Sequence, residues 1–246
     1  MLRTLRLLAE KVTGYSIVKQ MPFGVDEYAD LKAKFKNFKF QTIIDVGANV
    51  GQSALQVREN FPDAEIYSLE PIKATYDELV RNTSVANIKT FNVGLGSSNQ
   101  QVEVNTQVDN QNSVMNSLVA EKNSLSKENT KTEIVQVLTL ENFCQQNKIS
   151  KIDFLKIDTE GFDLEVLKGA VSLLEKQAIP FILTEVSMNP TNTYHVDFVE
   201  MKHYMESFSY YIFGIYEQVQ EWQTKTPILR RSNILFISKA MAFGKQ

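Results

Sequence analysis

The stretch Thr42-Ile43-Ile44-Asp45-Val46-Gly47-Ala48-Asn49-Val50-Gly51-Gln52-Ser53 constrains the fold more than any other part of the chain. Ile43, Ile44 and Val46 are β-branched and apolar, which suits a strand covered on both faces. Gly47 and Gly51 remove side chains where the backbone must turn and lie close to a ligand. A helix over about residues 52–60 then aims its first free N–H groups at the turn. About twenty residues further on, a second apolar strand, Ile66-Tyr67-Ser68-Leu69, ends in Glu70, a carboxylate able to accept hydrogen bonds from both hydroxyls of a ribose. The pattern predicts a nucleoside bound at the carboxyl ends of parallel strands. A purely structural glycine turn is the blander reading, and the spacing to Glu70 argues against it.

The turn also discriminates between nucleosides. A dinucleotide fold uses G-x-G-x-x-G with a pyrophosphate on the helix N-terminus. Here the middle glycine is missing, and the anionic Asp45 stands just before the bend. A carboxylate there repels a pyrophosphate and attracts a cationic amino-acid group. S-adenosylmethionine, with an adenosine, an α-amino group, a sulfonium and no phosphate, fits better than NAD. Asp45 and Gly47 are assigned to the methionine end, Asn49 and Gly51 to the turn, Glu70 to the ribose, and Asn92 and Val93 to the neighbourhood of adenine.

Bulk properties narrow the class. The 246 residues suffice for one large α/β domain, and 43% hydrophobic with 22% charged content is ordinary for a globular chain. A net charge of −3 gives no overall pull toward nucleic acid or an anionic membrane. No apolar run approaches the roughly 18 residues of a membrane span, and no secretory leader is apparent. The single cysteine, Cys144, excludes an internal disulfide and sits in a helical pattern as a small hydrophobe, so a reducing, cytoplasmic compartment is expected.

Taken in order, residues 1–40 are expected to form a helical extension. Leu2, Leu5, Leu8, Ala9 and Val12 recur at helical spacing among Arg3, Arg6 and Lys11. A helix packed on the domain and a peripheral membrane contact by residues 1–20 both fit this pattern. From residue 41 strands and helices alternate: strands at 42–46, 65–70, 89–93, 134–138, 152–157 and 181–186, with helices between. This predicts a parallel sheet with right-handed crossovers. The last two strands, Tyr210 to Ile215 and Asn233 to Ser238, have no helix between them and are expected to be antiparallel. Residues 97–133 are polar, break the rhythm and are expected to be an insertion or lid. The island Ser113 to Leu118 is expected to dock near the site, with Asn116 and Ser117 closing over a ligand.

On this pattern the chain resembles the FkbM-type SAM-dependent methyltransferase family. The resemblance rests on Ile43 to Gly51, Leu69-Glu70-Pro71, Val137 to Glu141, Asp153 to Gly161, Val166 to Ala170 and Leu183-Thr184-Glu185. It covers about residues 41–190, with an echo at Asn233 to Phe236. The run Lys156-Ile157-Asp158-Thr159-Glu160-Gly161 followed by Leu167-Lys168-Gly169-Ala170 is the most specific part. Glu141 stands where the family usually has Asp. The resemblance implies a Rossmann-like class I methyltransferase fold: a seven-stranded, mostly parallel sheet with a terminal antiparallel strand pair and helices on both faces. It also implies O-methylation of a hydroxyl on a sugar, glycan or secondary metabolite. A non-catalytic binding protein on this fold and an NAD-dependent reductase are the competing classes.

Methyl transfer to a hydroxyl gains from positioning and from a base. Candidates are carboxylates at strand ends: Asp158 first, then Glu160 and Glu185. Capping of the following helix is the alternative role for Glu160. The same three carboxylates are of the type that Mg²⁺ accepts, so a metal-assisted variant stays open. His195 is a further possible base on an acceptor-side loop, though packing roles suit both it and His203. The partner expected is a small-molecule or glycan acceptor, with no nucleic acid; the sequence leaves the oligomeric state open.

Overall fold

A computed structural model describes residues 2–14, 21–107 and 130–244. The chain divides into two compact units, residues 1–36 and 37–246. The first contains α1 (Leu2–Thr13) and α2 (Glu27–Lys34). Gly14 ends α1 in the left-handed region (φ 74°), its N–H bonding Glu10 O at 2.9 Å. Asp26 caps α2, its Oδ1 accepting from Ala29 N at 2.8 Å.

The second unit runs β1 (Thr42–Val46), α3 (Gln52–Asn60), β2 (Glu65–Leu69), α4 (Lys73–Thr83), β3 (Lys89–Phe91), β4 (Gly94–Leu95) and β5 (Gln100–Gln107). It continues β6 (Thr130–Leu138), α5 (Leu140–Gln146), β7 (Phe154–Ile157), α6 (Asp163–Lys168), α7 (Val171–Glu175) and β8 (Phe181–Ser187). It closes with α8 (Phe198–Ser207), β9 (Tyr210–Gln220), β10 (Leu229–Ser238) and α9 (Lys239–Phe243). Seven strands form one sheet in the order β3-β2-β1-β7-β8-β10-β9. β1, β2, β3, β7 and β8 pair in parallel, whereas β10 pairs antiparallel with both β8 and β9. The antiparallel pair is therefore present, with the last strand inserted between the fifth parallel strand and its own hairpin partner.

β1 and β7 are buried along their length, as near-continuous apolar runs require. Ile44, Leu155, Ile182 and Phe236 join one cluster with Val166, Leu167, Met201 and Met205 from the helices. Phe38, Phe40, Phe61, Phe154 and Phe181 make a chain of ring contacts, with centroids 4.6 to 6.4 Å apart. Phe38 and Phe40 thus belong to the second unit, although they follow the basic N-terminal stretch in sequence.

The strand expected at 134–138 and part of the insertion or lid expected at 97–133 lie in a second, three-stranded sheet, β4-β6-β5, and not in the main one. β5 and β6 pair antiparallel from Gln100↔Val137 to Gln107↔Thr130. Val104, Val135 and Val137 bury one face of it against Ile72. The island 113–118, with Asn116 and Ser117, lies outside the described residues. Two helices, α6 and α7, separate β7 from β8. Gly169 lies between them, where an added Cβ would stand 2.1 Å from Gly96 O. Glu141 explains the carboxylate after Thr139-Leu140: its Oε1 accepts from Ser172 N at 2.6 Å and caps α7. Cys144 is buried, and desolvation pushes its thiol up to about 12, which keeps it protonated and unreactive.

Candidate active site

The carboxyl ends of β1, β2 and β7 enclose a crevice of about 180 Å³. Its floor is the turn after β1. Gly47 has φ 78°, and a Cβ on it would stand 1.9 Å from Asp158 O, so the two strand ends approach as closely as backbones can. Gly47 N and Ala48 N both donate to Leu69 O, at 3.0 and 2.9 Å, fixing the turn to the end of β2. Asn49 adopts φ 48° and its N–H donates to Glu70 Oε2 at 3.2 Å. The other oxygen, Glu70 Oε1, accepts from Ile72 N at 2.9 Å. Glu70 is buried; desolvation raises its pKa to about 7 even though these two N–H groups oppose the shift.

Of the residues assigned to a cofactor from sequence, Gly47, Asn49, Glu70 and Val93 line the crevice. Asp45 lies beneath it at full burial, and Gly51 begins α3 at φ 98°. Asn92 does not line it: its amide donates to Glu70 O at 2.9 Å and Pro71 O at 2.8 Å, clamping the end of β2.

Asp45 Oδ2 accepts from Ser53 Oγ at 2.7 Å, while Oδ1 has no hydrogen-bond partner among the described residues. Burial raises the Asp45 pKa, against the opposing charge of Lys156. Parallel register sets Asp45 beside Lys156. The Lys156 ammonium stands 3.7 Å from Asp45 Oδ1 and 3.1 Å from Asp158 Oδ2, so one buried cation serves both carboxylates. For Asp158 desolvation is the largest influence and acts upward. The charge and hydrogen bond of Lys156, with the charges of Arg231 and His195, outweigh it and hold the pKa below the usual carboxylate value. The Asp158 side chain keeps 41% of its surface exposed, so this ionised group meets the crevice.

The opposite wall is the turn 159–162, where Phe162 N donates to Thr159 O at 3.3 Å. Both central residues, Glu160 (φ 51°) and Gly161 (φ 97°), are left-handed. A Cβ on Gly161 would stand 2.1 Å from Tyr194 O, so this turn packs backbone to backbone on the loop that carries His195. His195 Nε2 lies 2.6 Å from Glu185 Oε2 and 3.5 Å from Glu160 Oε2. Asn192 Nδ2 lies 2.9 Å from the other ring nitrogen, Nδ1. Arg231 pairs with Glu185 Oε1 and sits 3.5 Å from Glu217 Oε1. Glu160, Glu185 and His195 each bring one donor atom within 4.8 Å of the others. The converging set thus replaces Asp158 by an imidazole. Lys156 on Asp158 and Arg231 on Glu185 already supply positive charge, so the donors do not favour the Mg²⁺ set read from sequence.

Sequence reasoning missed Lys156, Ser53, Asn192 and Arg231. A lysine inside an apolar strand was the available signal for Lys156. Ser53 and Asn192 bond Asp45 and His195, eight and three residues away, but serine and asparagine at such spacing are common in any turn; Arg231 pairs with the distant Glu185. His203, on α8, is exposed and away from this cluster.

A parallel sheet with one inserted antiparallel strand, and a glycine bend beside an acid-tipped second strand, make the Rossmann-like arrangement of the class I methyltransferase fold. The match to the methyltransferase FkbM domain over residues 45–212 goes further: the chain belongs to that family. It is 29% identical over 154 residues to Methyltransferase sdnD of Sordaria araneosa, covering 52% of this chain and 59% of that protein. It is 26% identical over 144 residues to the hexuronic acid methyltransferase AglP of Haloferax volcanii, covering 58% of this chain and 54% of that protein. Methyltransferase 1 of Beauveria bassiana is 25% identical over 143 residues, covering 52% and 57%. The chain spans a little over half the length of the curated relatives it matches. Among the described residues no helix is long and apolar enough to cross a membrane.

Proposed function

We propose that this chain is a SAM-dependent O-methyltransferase acting on a hydroxyl of a sugar, glycan or secondary metabolite. The observation that carries the reading is the half-buried Asp158 carboxylate, 3.1 Å from the Lys156 ammonium, on the wall of a crevice floored by Gly47 and edged by Glu70. The residues fit the cofactor's chemistry. Asn49, on the crevice lining, carries a buried Oδ1 without a hydrogen-bond partner among the described residues, as a site completed by a ligand would leave it. Asp158, held ionised on the crevice lining, suits an ammonium and a sulfonium and opposes a pyrophosphate. The NAD reading is therefore the weaker one.

In this reading Glu70 holds the ribose hydroxyls and the Gly47–Gly51 turn lies along the cofactor. When bound, S-adenosylmethionine supplies an electrophilic methyl group. Asp158 accepts the proton of the acceptor hydroxyl, and Lys156 keeps it ionised for that task. Both nitrogens of His195 are engaged by Glu185, Glu160 and Asn192, so His195 orients the acceptor-side wall. The name of the Haloferax relative supports a sugar-acid acceptor among those considered. Incubating the full chain with S-adenosylmethionine and a panel of hydroxylated sugars, read by mass spectrometry, should show addition of one methylene. Absence of binding to both the cofactor and its demethylated product by calorimetry would instead favour a non-catalytic member of the fold.

A further inference from the structure

We infer that the hairpin joining β9 and β10 forms a sugar-stacking ledge built on Trp222, which holds a saccharide unit next to the one presented to Asp158. This rests on the reading above and deepens it: the acceptor is an oligosaccharide or glycosylated compound rather than a free monosaccharide.

Topology puts the hairpin at the site. β8 ends at Ser187 beside Glu185, and β10 begins next to it in the opposite direction, with Arg231↔Ser187 paired. The turn between β9 and β10 must then lie at the same carboxyl edge as the crevice. Its base is stitched to the loop that carries His195. Asn189 Nδ2 donates to Leu229 O at 2.8 Å, Asn192 Nδ2 to Arg230 O at 3.2 Å, and Met188 N to Arg230 O at 2.9 Å.

Trp222 is 63% exposed in this turn, and it is fixed rather than loose. The buried Arg230 guanidinium carbon lies 5.7 Å from the Trp222 ring centroid and 5.7 Å from that of Tyr194. Arg230 is itself held by Glu221, at 2.9 Å, where both side chains are buried. A buried ion pair that positions an exposed indole is a costly way to build a surface turn unless the ring has an occupant. Tyr194, through its own carbonyl, touches the Gly161 turn, so the path from Trp222 to the Glu160 wall is continuous. The same turn carries Gln223, whose amide oxygen lies 3.5 Å from the Arg230 guanidinium, and Thr224 and Thr226, whose hydroxyls lie 2.9 Å apart. An exposed flat apolar ring, in a turn that also carries hydroxyls and an amide, suits a pyranose, which has an apolar C–H face and a polar perimeter. The indole face is the negative end of its quadrupole and attracts the C–H edges.

The chain has one tryptophan, so its indole fluorescence reports Trp222 alone. The full chain should be titrated with a galacturonic acid trisaccharide and a glucose trisaccharide, without S-adenosylmethionine. A saturable change in emission with at least one of them is expected. If a saccharide is methylated, Trp222→Ala should raise its KM about tenfold, and Trp222→Phe should recover most of that loss. No response to either trisaccharide overturns the ledge, whether or not methyl transfer is found. A response without methyl transfer to any sugar supports the ledge and counts against the proposed reaction. An unchanged KM in Trp222→Ala for a methylated trisaccharide also overturns it.

Discussion

The two walls of the crevice are built in opposite ways. The β1–β2 wall uses residues close in sequence, and backbone groups set its edge: Glu70 takes the N–H groups of Asn49 and Ile72, and the turn hangs from Leu69 O. The other wall presents Asp158 and Glu160, and behind Glu160 stand Glu185, His195 and Arg231 from three further segments, all paired through side chains. Backbone-built sites are set by the chain's conformation and tolerate little change in shape. Side-chain-built sites can exchange donors and charges, which is where acceptor choice can vary within one fold.

The comparison can be broken by substitutions that separate shape from charge. The largest effect should come from Asp158→Asn, which keeps the shape of the side-chain wall and removes its ionised acceptor. Turnover should fall about 10²–10⁴-fold, with cofactor affinity by calorimetry little changed; equal turnover would remove Asp158 from the chemistry. Gly47→Ala attacks the backbone wall instead. A left-handed φ and a carbonyl at the Cβ position should lower stability by about 2–4 kcal/mol in urea unfolding. A stable Gly47→Ala chain would show that the strand ends can separate.

Glu70→Gln sharpens the contrast through pH. Glu70 has a folded pKa of about 7 against 4.5 for the free group, so the folded state binds the extra proton between these values. Its contribution is fully present below pH 4.5 and is lost as pH rises through 7, a change on the order of 3 kcal/mol. The amide cannot ionise, so the stability of Glu70→Gln relative to the parent should rise over that window; parallel stability curves would refute the burial argument. His195→Ala leaves Glu160 and Glu185 facing each other and should cost about 1–3 kcal/mol, with His195→Gln recovering part. The smallest effect should come from the exposed helical pair Lys73–Asp77, where Lys73→Ala should change stability by about 0.5 kcal/mol or less.

The difference between the walls also explains what could be read in advance. Asp45, Gly47, Asn49 and Glu70 were legible because a strand, a glycine bend and a second strand impose fixed spacings. The alternation of apolar runs and helical patterns likewise carried the parallel sheet and the antiparallel last pair. Asn92 shows the limit: its position at the end of β3 was legible, but not that its amide is spent on Glu70 O and Pro71 O. The three-stranded sheet was only partly visible, because β5 is largely polar and gains its buried face from Ile72, Val104, Val135 and Val137.

The sequence by itself determined a parallel α/β sheet, the glycine bend at 47–51 and an acid twenty or so residues on, since these depend on local conformation and on periodic burial. Only the tertiary structure decided that Lys156 bridges Asp45 and Asp158, that His195 joins Glu160 to Glu185, and that Trp222 stands at the same edge of the sheet. Those meetings follow from strand order and from which side chains cross a few ångströms of space, and neither is written in any local stretch of the chain.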